Sequence, residues 1–153
     1  NERQKQAFAD KIINHYQGAV AGKKFAVWGL AFKPLTDDMR DAPAIPIINA
    51  LSQHGAAIVA FDPQATDQAR RSFAPTVNIS YAADMLDALN GADALLLLTE
   101  WRQFRQPDFA EIKQRLAQPV IFDGRNQYNP SELQQLGFSY YCIGRSVSAE
   151  LGD

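Results

Sequence analysis

Phe25-Ala26-Val27-Trp28-Gly29-Leu30 is an apolar run lying between Gly22 and a polar stretch from Lys33 to Asp41. A short run of this kind, bounded by turn signals and offering no polar face to solvent, reads as a strand buried on both sides. Such strands belong to parallel sheets covered by helices. Working outward, the same alternation recurs. Downstream, Ile47, Ile48 and Leu51 mark a helix that has to accommodate Pro43 and Pro46 near its first turn and that Gly55 ends. Ile58 to Phe61 reads as a second strand ended by Asp62-Pro63, Gln64 to Arg71 as a short polar helix, and Val77 to Tyr81 as an edge-like strand. Met85, Leu86 and Leu89 mark a further helix closed by Asn90-Gly91. Ala94 to Leu98, the most apolar run, reads as a central strand. Phe109, Ile112 and Leu116 give a helix, Val120 to Phe122 a strand, Leu133 and Leu136 a last helix, and Phe138 to Ile143 a final strand. Upstream, Phe8, Ile12, Ile13 and Tyr16 recur at helical spacing.

Strands separated by helices, with no tandem hairpins, predict an α/β fold: a doubly wound, Rossmann-like parallel sheet of six strands, helices on both faces, strand order 3-2-1-4-5-6. The expected organisation is a helix end over residues 1–17, the sheet domain over 22–145, and a patternless tail over 146–153. The start at Asn1, within helical periodicity, has the look of a domain excised from a longer chain.

Composition bounds the function. With 153 residues, 46% hydrophobic and 21% charged, the chain fits one globular domain with a sizeable core. A net charge of -2 gives no basic excess for nucleic acid. The single cysteine excludes an internal disulfide and favours a reducing, cytoplasmic setting. No apolar stretch is long enough to suggest a membrane span.

Ligands of an open parallel sheet bind beyond the carboxyl ends of its strands, where the strand order reverses. The loops after Leu30, Leu98 and Phe122 therefore matter most. They bring Lys33, Arg40, Arg102 and Arg125 toward one rim, chemistry suited to phosphate. The residues alone leave two readings open there, an anion site or solvated loop charges. Gly29-Leu30-Ala31-Phe32 lacks the G-x-G-x-x-G fingerprint, so NAD held in the usual Rossmann manner is not expected. Asp62 then reads as a turn residue before Pro63 rather than a ribose ligand. Cys142, within an apolar strand, reads as a buried thiol, and Trp28 and Trp101 as packing residues. His15 and His54 stand apart with no ligands at metal spacing.

The stretch Gly29-Leu-Ala-Phe-Lys-Pro-Leu-Thr-Asp-Asp-Met-Arg-Asp-Ala-Pro43 closely resembles a signature of the UDP-glucose/GDP-mannose dehydrogenase family, in its C-terminal domain. Ala60-Phe-Asp-Pro63, Thr99-Glu-Trp101 with Phe104, and Phe122-Asp-Gly-Arg-Asn126 are similar to later motifs of that family, in the same order. Asn1 to Tyr16 resembles the end of its long central helix. The resemblance covers the whole chain apart from the tail and is closest to the UDP-glucose branch; other nucleotide-sugars of the family, and a non-catalytic UDP-sugar-binding module, remain alternatives. It implies an enzyme that oxidises a sugar C6 alcohol in two hydride transfers, with an N-terminal domain that holds NAD and a central helix that forms a homodimer or larger assembly. The family's catalytic cysteine, catalytic lysine and glycine fingerprint lie in motifs this sequence does not contain, so the chain by itself is expected to be inactive. For this chain the resemblance implies that Phe32, Lys33 and Arg125 contact the UDP-sugar and that Arg40 reaches toward NAD. Asp37, Asp38 and Asp41 would orient these cations or cap the next helix.

Overall fold

The computed structural model describes residues 2–143; the expectations for residues 144–153 fall outside them. The order is α1 (Glu2–His15), β1 (Lys24–Trp28), α2 (Ala44–Gln53), β2 (Ala57–Phe61), α3 (Thr66–Ser72), β3 (Ile79–Tyr81), β4 (Ala94–Leu97), α4 (Phe109–Arg115), β5 (Val120–Asp123), α5 (Pro130–Gln135) and β6 (Ser139–Cys142). All six strands join one sheet in the order β3-β2-β1-β4-β5-β6, every pair parallel. This is the predicted doubly wound arrangement, with the reversal between β1 and β4.

Strand alternation divides the core into two layers. Phe25 and Val27 of β1, Leu96 of β4 and Phe122 of β5 face α1 and α2, where Phe8, Ile12, Ile47, Ile48 and Leu51 meet them. Ala26 and Trp28, Leu95 and Leu97, and Ile121 face α4 and α5, with Phe104, Ile112 and Leu133 opposite. Trp28 stacks on Phe104 with ring centroids 5.0 Å apart, and its indole N–H donates to the Met85 carbonyl at 2.8 Å. That settles Trp28 as core.

Several elements depart from expectation. The helix read at Met85–Leu89 is only a 3₁₀ turn over Asp87–Leu89, because Asp84 accepts the Asp87 N–H at 2.8 Å and Asn90-Gly91 ends it at once. The strand read from Val77 starts at Ile79, and the helix read from Gln64 starts at Thr66 because Asp62 builds the preceding turn. Pro43 and Pro46 do sit at the start of α2, as its N-cap and within its first turn. No helix among the described residues is long and apolar enough to cross a membrane.

Candidate functional site

The carboxyl ends of β1, β2 and β4 are tied together by one carboxylate. Asp62, 4% exposed, accepts the Leu30 and Ala31 N–H groups on Oδ2 at 2.7 and 3.0 Å, and the Trp101 indole N–H on the same oxygen at 3.2 Å. Its Oδ1 accepts the Gln64 and Ala65 N–H groups, both at 2.8 Å. Asp62 is thus the turn residue predicted, but its larger role is to clamp the strand ends. Nearby, Thr99 donates its hydroxyl to the Ala31 carbonyl at 2.6 Å. Gly29, at φ +103°, lies so close to Thr99 that a Cβ there would stand 2.5 Å from the Thr99 Cβ. The glycine serves the crossing of β1 and β4, a use of close approach unrelated to a pyrophosphate.

This clamp decides against NAD in the Rossmann manner on this chain. The backbone N–H groups that would face a pyrophosphate already donate to Asp62, and a loop rather than a helix N-terminus follows β1, since α2 begins at Ala44. The residues do not fit that cofactor in that mode.

A second buried carboxylate builds the loop after β5. Asp123, fully buried, accepts the Arg125 N–H on Oδ1 at 2.9 Å. Its Oδ2 accepts the Gln127 and Tyr128 N–H groups and the Tyr140 hydroxyl at 2.8, 3.0 and 2.7 Å. Tyr128 in turn donates to the Phe104 carbonyl at 2.6 Å, and burial pushes its hydroxyl pKa up, so it remains a donor. Arg125 therefore projects from a fixed platform. Its Nε and Nη2 donate to the two oxygens of Glu100, each at 2.9 Å. Partial burial pushes the Glu100 carboxyl up, but hydrogen bonds from Arg125 and its own backbone N–H, with the charges of Arg125 and Arg105, hold it below the usual glutamate value.

The loop after β1 carries the other cations. Phe32 N–H donates to the Asp38 carbonyl at 3.0 Å and Thr36 Oγ1 accepts the Asp38 N–H at 3.1 Å, closing the loop on itself. The Asp38 carboxylate takes Nε and Nη2 of Arg40 at 3.1 and 2.8 Å, and these bonds hold its pKa at about 2. Arg40 is otherwise 90% exposed. Lys33 Nζ lies 5.3 Å from the centre of the Phe32 ring, on an exposed crest that also carries Leu35, 84% exposed in the left-handed region at φ 67°.

The four cations do not share one cavity. A cavity of about 320 Å³ between α1, α2 and the β5 loop holds Arg125 with Lys5, Phe8, Ile47, Leu98 and Gly124. A second depression, of about 690 Å³, holds Arg102 and Arg105 with Leu35, Glu100 and Trp101. Lys33 and Arg40 stand on the β1 loop and line neither. Asp123, Glu100 and Lys5 escaped the sequence reading as site residues. One signal was available: both clamping aspartates follow phenylalanine at a strand end, as Phe61-Asp62 and Phe122-Asp123. Among the described residues no group of His, Cys, Asp or Glu converges to hold a metal, and Cys142 is fully buried in β6.

A family model described as the UDP-glucose/GDP-mannose dehydrogenase family, UDP binding domain, matches residues 26–130. The chain belongs to this family. A UDP-glucose 6-dehydrogenase of Pseudomonas aeruginosa is 42% identical over 148 residues, an alignment that spans 95% of this chain and 33% of that protein. The chain thus spans about a third of the length of the relatives it matches. A solved UDP-glucose dehydrogenase from Pyrobaculum islandicum superposes with a TM-score of 0.71 at 27% identity, covering 86% of this chain and 28% of that one. The UDP-D-ManNAc dehydrogenase structure from Pyrococcus horikoshii shares the fold, with a TM-score of 0.75 at 23% identity over 95% of this chain and 32% of that one. Within the family's domain, the Arg125 loop and the Asp62 clamp both lie inside the matched span.

Proposed function

We propose that this chain is the C-terminal, nucleotide-sugar-binding domain of a UDP-glucose 6-dehydrogenase, and that UDP sits in the cavity lined by Arg125. The observation that carries the reading is the placement of Arg125, its backbone anchored by Asp123, at a cavity that pairs apolar walls from Phe8, Ile47 and Leu98 with the polar side chains of Gln4 and Asn126. A pocket with both apolar walls and polar groups, and an oriented cation at its edge, suits a base and ribose with a phosphate at one end. Lys5, from α1, adds a second cation to the wall. Phe32 and Lys33, exposed on the β1 loop, would meet the sugar end of the ligand, and Arg40 would reach toward NAD held on an N-terminal domain.

In this reading the whole enzyme converts UDP-glucose to UDP-glucuronate with two NAD in the cytoplasm, and its hydride transfers take place on residues outside this chain. Here the chain's own contribution is to bind and orient. Residues 1–17 would end a central dimerisation helix, and residues 22–145 would form the binding domain.

Calorimetric titration with UDP, GDP and NAD in turn tests this. The expected outcome is saturable UDP binding, weakened at least about tenfold by Arg125→Ala, since a hydrogen bond to a charged group contributes about 1.5–3 kcal/mol. GDP binding more tightly than UDP would move the chain to another branch of the family. Tight NAD binding with none of UDP would overturn the reading.

A further inference from the structure

The Arg125 fork is already filled. Nε and Nη2 engage both oxygens of Glu100 in the two-point geometry by which a guanidinium holds a phosphate. The pair also stands between two hollows, with Arg125 lining the cavity beside α1 and Glu100 lining the depression beside Trp101. We propose that Glu100 is an intramolecular placeholder for a phosphoryl group, holding the fork of Arg125 until a nucleoside diphosphate takes it and thereby setting the affinity and charge selectivity of the site. This rests on Arg125 being the nucleotide contact.

Three features support an exchange over a permanent bond. The pair is only partly covered, with side chains 36% and 26% exposed, so an incoming anion can reach the fork. The exchange is of like for like, an oxyanion for an oxyanion, so Arg125 is never left without a counter-charge beside Phe8 and Leu98. A neutral ligand cannot make that exchange. Finally, the displaced carboxylate has somewhere to go. The charge of Arg105 already acts on it, and Arg105 and Arg102 line the depression that Glu100 faces. Among the described residues neither of these arginines forms a salt bridge. Glu100 thus has a second cationic position on the side away from the ligand.

If the carboxylate competes with the ligand, removing its charge strengthens anion binding; if it only orients Arg125, removing it weakens binding. Titrations of UDP and of uncharged uridine into the intact protein, at low and high salt, separate the two for wild type, Glu100→Gln, Arg125→Ala and the double variant. The placeholder requires Glu100→Gln to tighten UDP about two- to fivefold, the range expected for a partly exposed ion pair. Uridine affinity should not move, the salt dependence should steepen, and the gain should vanish in the Arg125→Ala background. Glu100→Ala, which also removes the hydrogen bond, should tighten UDP in the same direction and guards against a folding defect in one variant. Weakened or unchanged UDP affinity in Glu100→Gln, with Arg125→Ala still harmful, overturns the placeholder and leaves the Arg125 contact standing. A gain that persists without Arg125 reduces the effect to general electrostatics and also overturns it. If Arg125→Ala itself leaves UDP affinity unchanged, the nucleotide contact fails and the placeholder with it.

Discussion

At the scale of single residues, the two strand-end aspartates do more than the cations that drew attention to the site. Asp62 is the acceptor for five N–H groups drawn from three loops, and four of them, on Leu30, Ala31, Ala65 and Trp101, are buried with it. A buried donor left without an acceptor costs about 1–3 kcal/mol. Asp62→Ala should therefore destabilise the chain by at least about 3 kcal/mol in urea unfolding, and Asp62→Asn, which keeps one acceptor oxygen, by less. A loss under about 1 kcal/mol for Asp62→Ala would mean that the strand ends hold without the clamp. The contrast with Arg40 is instructive. Its exposed bond to Asp38 fixes side-chain direction and adds little to stability, because solvent screens it.

At the scale of elements, α1 owes its seat to more than its apolar stripe. Phe8, Ala9 and Ile12 are buried, while Lys5 donates to the Asp41 carbonyl at 3.1 Å and Lys11 to the Cys142 carbonyl at 3.3 Å. At its end His15 packs edge-on against Phe122 and Tyr141, with ring centroids 5.4 and 4.9 Å away. Burial there lowers the His15 pKa from its ordinary 6.5. The unfolded chain then takes up this proton at higher pH than the folded one. Stability should fall as pH drops below about 6.5 through the depressed value, and level off beneath it. His15→Phe, which keeps a ring without the titration, should flatten that step in urea midpoints measured between pH 7 and pH 5. An identical slope in both proteins would remove His15 as its source. Seating α1 also matters for the site, since Lys5 and Phe8 form one wall of the cavity.

At the scale of the whole molecule, the two apolar layers make the sheet a shared partition, so opening one face should expose the other. Cys142 reports on this, being fully buried in the edge strand β6. Its labelling by a thiol reagent should be negligible in buffer and should rise with urea in parallel with global unfolding, as expected where access requires cooperative opening. Fast labelling far below the unfolding midpoint would show β6 to open independently.

The order of strands, the two-faced burial of β1 and β4, the core placement of Trp28 and the domain family were legible in the chain, because strand and helix periodicity and ordered motifs are local properties of sequence. The three-residue turn at Asp87 was not. Met85, Leu86 and Leu89 have helical spacing, but the capping bond from Asp84 and the stop at Asn90-Gly91 leave room for a single turn. Nor could the sequence pair Asp62 with Leu30 and Trp101, Ala31 with Thr99, or Glu100 with Arg125. Those partners lie 32, 39, 68 and 25 positions away in hydrogen-bonded contacts that exist only once β1, β2, β4 and β5 end side by side. Sequence determined that cations crowd the strand ends. Only the tertiary structure decided which of them line a cavity and which pair with a carboxylate, because charge pairing depends on distances of a few ångströms that folding alone sets.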